Sequence, residues 1–193
     1  HLTTPQPRWK SEAERVVEVQ RRMQAVSVAF LHPVTFGERS FMLRALQPIL
    51  KRQDCRLTLE IGEDIELDSF PGPLSQVIAN LINNALLHAF DNQHGGNIAL
   101  SASADGPDHV AIVFSDNGKG IPTENLGRIF DPFFTTRLGQ GGSGLGLNIV
   151  HNVVTGVLGG SIHVESDLGK GTRFQLRLPL YAPKLHHPAP ANA

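Results

Sequence analysis

The stretch that decides the fold is residues 139–147, with the sequence GQGGSGLGL, which opens a predicted helix. The first backbone N–H groups of a helix lack partners inside it and form an anion site suited to phosphate. Gly139, Gly141 and Gly144 also satisfy the G-x-G-x-x-G pattern of dinucleotide-binding folds. That pattern needs a buried strand directly before the glycines, whereas Pro132 and a Phe-Phe-Thr-Thr-Arg loop stand there. The dinucleotide interpretation therefore fails, and no P-loop motif occurs.

A helical pattern from about residue 74 to residue 90 carries two asparagines at its border. At about 100° per residue, its apolar side chains share one wide face: Leu74, Val77, Ile78, Leu81, Ile82 and Ala85. Asn80 and Asn84 are four residues apart and are therefore neighbours on the helix surface. Their amide oxygens can ligate a hard cation such as Mg²⁺, and ordinary solvated asparagines are the alternative.

A glycine-containing turn with the sequence DNGKGIP, residues 116–122, follows the strand predicted at residues 110–115. Gly118 and Gly120 permit the backbone to approach a flat ligand closely. The Asp116 carboxylate can accept a hydrogen bond from the exocyclic amino group of adenine. An ordinary Asp-Asn-Gly turn is the alternative.

Three phenylalanines lie within five positions of the sequence IFDPFFTTR, residues 129–137. An aromatic cluster in a loop can anchor a mobile lid and leave Arg137 free to reach phosphate oxygens. A plug of the core beneath a loop is the alternative, and the two roles are compatible.

The remaining elements are predicted from apolar alternation and from helical spacing. Strands are expected at residues 56–61, 65–67, 97–104, 110–115, 162–165 and 172–180. Further helices are expected at residues 11–31, 38–52, 124–129 and 145–157. The Pro71-Gly72-Pro73 stretch is expected to act as a stop between the second strand and the asparagine helix.

The composition indicates a soluble globular protein with no large charge excess. Of 193 residues, 40% are hydrophobic and 18% are charged, and the net charge of −1 argues against nucleic acid or an anionic membrane as the main partner. Residues 1–56 carry ten Lys or Arg and five Asp or Glu, which indicates two parts. Cys55 is the only cysteine, so an intramolecular disulfide is excluded and a reducing compartment is favoured. The chain begins at His1 without a signal pattern, so a fragment is expected.

Taken in this order, the motifs resemble the catalytic and ATP-binding domain of sensor histidine kinases, in the gyrase, Hsp90, histidine kinase and MutL superfamily. Residues 80–84 resemble the N box, 116–120 the first glycine box, 129–134 the F box and 142–146 the second glycine box. Residues 169–174, GKGTRF, resemble the third glycine box. The resemblance implies a two-layer α/β sandwich, the Bergerat ATP-binding fold, with a mixed five-stranded sheet and three helices, preceded by a helical segment.

The resemblance also implies two ligands, ATP and Mg²⁺, and the residues that bind them. Asp116 would receive the adenine amino group with Thr172 supporting it through water, and Asn84 with Asn80 would hold Mg²⁺. The lid would span about residues 135–143. The remaining residues expected at the nucleotide are Gly118, Gly120, Ile121, Phe130, Arg137, Gly142, Gly144, Leu145 and Gly146, with His88 added as a substitute for a residue that the family pattern has and this chain lacks.

Three departures from the family pattern matter. Asn83 stands where many histidine kinases have an acidic residue, so no general base is assigned. Leu87 stands where a Lys or Arg is common, and His88 beside it is either a substitute phosphate contact or a helix-end histidine. The phosphoacceptor histidine of the family is typically followed by an acidic residue and then by Thr-Pro. After His1 the acidic neighbour is missing and the proline comes one residue early, so His1 is not taken as the phosphoacceptor.

The function expected is transfer of the ATP γ-phosphoryl to a histidine on a dimerisation domain outside this chain. The alternatives are an ATPase clamp of the gyrase, Hsp90 or MutL type, and a non-catalytic nucleotide-binding module. Expected partners are the phosphoacceptor domain of the same kinase, a second copy in a full-length homodimer, and the receiver domain of a response regulator. The resemblance implies a cytoplasmic location for this chain. It is compatible with a full-length protein that is anchored in the inner membrane. Expected divisions are a lead-in 1–10, a helical segment with linker 11–54, the ATP-binding domain 55–181 and a disordered tail 182–193.

Overall fold

A computed structural model describes residues 34–35, 55–62, 65–90, 95–136 and 143–183 of the chain. The predicted lead-in 1–10 and both early helices, 11–31 and 38–52, lie outside these ranges. Within them the strands are β1 (Val34–Thr35), β2 (Arg56–Ile61), β3 (Glu66–Leu67), β4 (Asn97–Ala104), β5 (His109–Asp116), β6 (Ser161–Asp167) and β7 (Gly171–Pro179). The helices are α1 (Pro71–Asn84), α2 (Thr123–Leu126) and α3 (Gly146–Asn152).

Five strands form one mixed sheet in the order β2-β4-β5-β7-β6. β2 runs parallel to β4, and every other neighbouring pair is antiparallel. β1 and β3 pair with each other in a separate two-stranded ribbon, so the strand predicted at residues 65–67 does not join the main sheet. The predicted mixed five-stranded sheet is confirmed.

One face of the sheet carries the apolar side chains of a two-layer sandwich. Along β5, Val110, Ile112 and Phe114 are buried while the alternating residues are less covered, as expected for side chains that alternate between faces. Helices α1 and α3 pack against each other and bury Leu81 and Val150, both at 0% exposure. The α/β sandwich with three helices is therefore confirmed for the described residues.

Both long helices end in a wider turn. α1 continues as a π-helical turn at Ala85–Ala89, and α3 continues as another at Val153–Val157. The helices predicted at residues 74–90 and 145–157 thus extend about as far as expected. The end of α1 and the start of α3 are the two places that contribute to the site described below.

Helix α1 begins at Pro71, three residues before the predicted start at Leu74, so the Pro71-Gly72-Pro73 stretch lies in the helix instead of before it. Proline is well suited to the first turn of a helix, where its missing N–H would have no partner and its fixed φ is already helical. The strand before it has already ended at Leu67.

The last described residues are tied to the body of the domain. The Ala182 N–H donates to the carbonyl oxygen of Asp68 at 2.8 Å, and Pro183 lies against Gly159. Residues 184–193, the rest of the predicted tail, lie outside the described residues. Among the described helices, none combines the length and the apolar character that a bilayer crossing requires.

Candidate nucleotide-binding site

Asp116 is the last residue of β5 and one of two buried polar residues among those described, with 7% of its surface exposed. Its Oδ1 accepts a hydrogen bond from the Gly118 N–H at 2.9 Å. The Thr172 backbone N–H also donates to this carboxylate. Burial raises the pKa of Asp116 above its ordinary value, and the two backbone donors offset part of that rise.

Thr172, the other buried polar residue at 5% exposure, lies directly opposite Asp116 in the β5–β7 pairing. Its hydroxyl contacts the Ser166 hydroxyl at 3.1 Å. Ser166 belongs to none of the motifs, although the pattern of β6 carries a signal for it. Ser166 follows Ile162 and Val164 in the same alternating register of β6, so a polar residue takes a position that otherwise faces the core.

The turn after Asp116 is held from three sides. The Lys119 N–H donates to the Ala89 carbonyl at the end of α1 at 2.9 Å, and the Lys119 carbonyl accepts from the Gly169 N–H at 2.8 Å. Asn117 Oδ1 accepts from the Asn97 N–H at 2.7 Å, at the start of β4. The turn is therefore a fixed surface that joins the helix layer, the sheet and the β6–β7 hairpin.

The two glycines of this turn are required by neighbouring protein atoms. A Cβ at Gly118 would overlap Ala89, and a Cβ at Gly120, where φ is 72°, would overlap the Asp167 carbonyl. These glycines let the turn pack tightly against α1 and the hairpin. Ile121 follows and donates its N–H to Ser166 Oγ at 2.8 Å.

The asparagines of α1 lie near the glycine-rich start of α3. Asn80 Nδ2 donates to the Gln76 carbonyl at 3.0 Å, and Asn80 Oδ1 lies 3.7 Å from the point where a Cβ at Gly146 would stand. Asn84, one turn later, is half-buried, as is His88 in the following π-helical turn. The structure therefore brings together two segments that are separated by more than sixty residues in the chain.

The phenylalanine segment splits into a packed part and an exposed part. Ile129 is buried, Phe130 and Phe134 pack against the core, and Phe133 is 71% exposed. Asn148 Nδ2, on α3, donates to the Phe130 carbonyl at 2.9 Å. The packed part plugs the core, as one alternative for the segment predicted, and Asn148 ties it to α3, while the role of a lid anchor stays a prediction.

The start of α3 is shaped by contacts with the phenylalanine loop. Gly144 has a φ of 68°, and a Cβ there would overlap the Phe133 backbone, where φ is 64°. The Leu145 N–H donates to Ser143 Oγ at 3.3 Å. Arg137 and Gly142, together with most of the predicted lid, lie outside the described residues.

A cavity of about 590 Å³ borders Asp116, Ser166 and Thr172 at this end of the sheet. Lys170 and Glu165 also line it, because it opens beside the β6–β7 hairpin. The asparagines of α1 do not line this cavity. Among the described residues, no group of three or more His, Cys, Asp or Glu side chains could hold a metal ion. A metal ion in this region would therefore depend on carboxamide oxygens and on oxygens of a bound nucleotide.

Comparison with known proteins agrees with this geometry. The model of the family described as "Histidine kinase-, DNA gyrase B-, and HSP90-like ATPase" matches residues 71–182. A second family model, described as an uncharacterized protein conserved in bacteria, matches residues 1–62 and carries no functional information.

Similar curated proteins are sensor kinases. The chain is 44% identical over 176 residues to the sensor histidine kinase ZraS of Salmonella typhimurium, covering 89% of this chain and 37% of that protein. It is 38% identical over 145 residues to the alginate biosynthesis sensor protein KinB of Pseudomonas aeruginosa, covering 72% of this chain and 23% of that protein. The chain thus spans less than two fifths of the length of either relative.

Solved structures show the same architecture. The mycobacterial sensor histidine kinase MprB matches with a TM-score of 0.63 and 26% identity, covering 79% of this chain and 99% of that chain. Full-length ShkA in complex with AMPPNP matches in fold with a TM-score of 0.65 and 24% identity, covering 88% of this chain and 36% of that chain. The chain belongs to the family of histidine kinase-, DNA gyrase B- and HSP90-like ATPases, and its relatives are sensor histidine kinases.

Proposed function

We propose that this chain is the ATP-binding catalytic domain of a two-component sensor histidine kinase. It transfers the γ-phosphoryl of ATP to a histidine on a dimerisation domain outside the chain. The observation that carries the proposal is the buried Asp116 carboxylate, paired in register with buried Thr172 at the end of β5. A buried carboxylate that borders a cavity, with backbone N–H donors and no cationic partner among the described residues, is typical of a site that binds a donor group.

Adenine binding in this proposal uses the end of β5 and the turn after it. Asp116 accepts a hydrogen bond from the amino group of adenine, and Thr172 supports that contact through water. Gly118, Gly120 and Ile121 form the surface against which the ring lies. The tethers of this turn to α1 and to the hairpin support its role, because a fixed surface loses little conformational entropy when a ligand binds.

Phosphate binding in this proposal uses the region between α1 and α3. The glycine-rich start of α3, with Gly144, Leu145 and Gly146, faces the phosphates together with Arg137 and Gly142 of the lid. His88 is a further phosphate contact, and Phe130 anchors the lid to α3.

A magnesium ion fits the same region. Asn84 and Asn80 would hold Mg²⁺, because Mg²⁺ prefers oxygen ligands and usually binds through one or two protein groups plus phosphate oxygens and water. Asn80 Oδ1 already lies beside the start of α3, which supports this assignment. When bound, the ion neutralises charge on the phosphate oxygens during phosphoryl transfer.

The residues of α1 favour phosphotransfer over hydrolysis. ATPase clamps of the superfamily use a glutamate one helical turn before the metal-binding asparagine to activate water, and Asn80 stands at that place. A carboxamide is not basic enough to activate water, and Asn80 Nδ2 donates to the Gln76 carbonyl of its own helix. Asn83 likewise offers no carboxylate, and the protein contributes chiefly by positioning its substrates.

The wider assembly follows from the same proposal. The phosphoacceptor domain of the same kinase and the receiver domain of a response regulator are the protein partners, and the full-length protein is a homodimer. This domain acts in the cytoplasm, with no direct contact with nucleic acid or membrane.

A transfer assay tests the proposed function. The chain is incubated with Mg²⁺, ATP labelled on its γ-phosphate and the phosphoacceptor domain of the same full-length protein. We expect label on that domain in an acid-labile, alkali-stable form, and none when its histidine is replaced by glutamine. Release of free phosphate without labelled protein would instead indicate an ATPase clamp. Binding of ATP with neither outcome would indicate a non-catalytic module.

Replacing Asn84 with alanine should reduce the dependence of ATP binding on Mg²⁺. The wild-type chain should bind ATP more tightly with Mg²⁺ than without it, and Asn84→Ala should remove most of that difference, about tenfold in affinity. Calorimetric titrations with Mg²⁺ and with a chelator measure both values. Asn152→Ala, which changes an exposed asparagine of α3, is the matched control. An unchanged Mg²⁺ effect in Asn84→Ala would exclude Asn84 as a ligand.

A further inference from the structure

The Ser166 hydroxyl is the centre of three contacts at the proposed adenine site. The Ile121 N–H lies 2.8 Å from Ser166 Oγ, the Gly171 carbonyl oxygen lies 2.7 Å from it, and Thr172 Oγ1 lies 3.1 Å from it. A serine hydroxyl has one proton to donate and two lone pairs that accept. Three partners therefore use its full hydrogen-bonding capacity.

The direction of each bond follows from the chemistry of the partners. An amide N–H can only donate, so Ile121 occupies one lone pair of Ser166. A carbonyl can only accept, so the single proton of Ser166 goes to Gly171, which is also the shortest contact. The contact with Thr172 must then be a bond that the Thr172 hydroxyl donates to the remaining lone pair of Ser166.

This orientation leaves Thr172 Oγ1 with lone pairs only. Asp116 beside it is also an acceptor, and the backbone N–H groups of Gly118 and Thr172 are already directed at its carboxylate. At the end of β5 and the start of β7, Asp116 and Thr172 therefore both accept hydrogen bonds, and neither side chain has a proton to donate to the base.

We propose that Ser166 is a specificity-determining residue that holds the Thr172 hydroxyl as an acceptor, so that the site takes a 6-aminopurine and rejects a 6-oxopurine. The inference rests on the proposed placement of adenine against Asp116 and Thr172. The amino group of adenine meets the Asp116 carboxylate and a water that gives a proton to Thr172, whereas the 6-oxo group of hypoxanthine or guanine meets the Asp116 lone pairs and a water whose proton is directed at Thr172 instead of at the base. An unpaired buried acceptor is costly, which gives the discrimination.

Calorimetric titration of the chain with Mg-ATP and with Mg-ITP tests the role of Ser166. The two nucleotides differ only at the 6-position of the purine and the adjoining ring nitrogen. We expect the wild-type chain to favour ATP by about tenfold or more, because each mispaired polar contact costs about one factor of ten. In Ser166→Ala the Thr172 proton is released and can turn toward the base, so the preference should fall at least threefold. Ser166→Thr keeps the hydroxyl and should restore the preference.

Two further variants test whether Ser166 acts by orienting the Thr172 hydroxyl or only by supporting the fold. Ser161→Ala removes an exposed hydroxyl of the same strand and should leave both affinities unchanged. Thr172→Val leaves the links from Ser166 to Ile121 and Gly171 in place but removes the oriented acceptor, so it should lower the ATP preference as Ser166→Ala does. This variant keeps the test valid if Ser166→Ala does not fold.

The possible outcomes distinguish this inference from the proposed function. Equal losses of ATP and ITP affinity in Ser166→Ala would show a merely structural role and overturn the inference. The same holds for an unchanged preference in Thr172→Val. A wild-type chain that binds ATP, and loses it in Asp116→Asn, would still support the proposed function in either case. A wild-type chain that binds neither nucleotide would overturn both.

Discussion

Replacing Asp116 with asparagine is expected to weaken Mg-ATP binding by about 1.5 to 3 kcal/mol, or about 10- to 150-fold. The variant keeps the shape and the Oδ1 acceptor for the Gly118 N–H but loses the charge that faces the adenine amino group. Hydrogen bonds to a charged acceptor are stronger than those to a neutral one, and burial excludes competing water. Calorimetric titration at neutral pH measures the loss.

The same substitution should stabilise the nucleotide-free domain. Because burial raises the pKa of Asp116 in the folded state, its contribution to stability is greatest at low pH, where the carboxyl is protonated in both states. That contribution is lost as the pH rises through the folded-state pKa. Asp116→Asn should therefore melt at a higher temperature than the wild type near pH 7.5, and the gap should narrow as the pH is lowered below the folded-state pKa.

A variant that binds ATP more weakly but melts at a higher temperature has lost a contact of the site, because a folding defect would lower both the affinity and the melting temperature. Asp108→Asn, an exposed carboxylate in the β4–β5 turn, is the control and should alter neither value. Wild-type ATP affinity in Asp116→Asn would remove the adenine assignment. A lower melting temperature at neutral pH would contradict the stability argument based on burial.

Replacing Gly171 with alanine is expected to destabilise the domain by about 2 to 4 kcal/mol. Gly171 has a φ of 86°, a conformation that side chains other than glycine rarely adopt, and a Cβ there would overlap the carbonyl of Asp116. Relief of the overlap requires β5 and β7 to separate where Asp116 pairs with Thr172. Chemical denaturation measures the loss, and ATP affinity should fall with it.

Gly169→Ala is the matched control for Gly171→Ala. Gly169 lies two residues earlier in the same turn with a φ of 79°, but no atom lies within 4 Å of its Cβ position. Its cost should therefore be backbone strain alone, about 1 kcal/mol, with ATP affinity retained. Equal destabilisation by the two variants would show that the overlap with Asp116 contributes nothing, contrary to the packing described above.

The elements with strong local patterns were predictable. β2 and β4 have the predicted bounds, and the other strands of the main sheet differ from prediction by a residue or two at their ends. Alternation of side chains between two faces has a period that is visible in a short stretch of sequence. The start of α1 was not predictable in this way, because Pro71 is compatible both with a stop and with a first helical turn.

The candidate site was predictable only in part. Asp116, Thr172 and the α1 asparagines follow from a resemblance carried by motifs, and their roles at ATP stay predictions. The pairing of Asp116 with Thr172 and the approach of Asn80 to Gly146 needed the fold, since each joins segments more than fifty residues apart.

By itself, the sequence determined the class of fold, the order of the motifs and which residues are candidates for the site, because periodicity and short motifs are local properties. Only the tertiary structure decided which groups meet at Ser166. Ser166 meets Ile121, 45 residues away, once β6 pairs with β7 and the turn after Asp116 folds onto that hairpin. The direction of a hydrogen bond depends on every partner of a group, and those partners are assembled only by long-range packing.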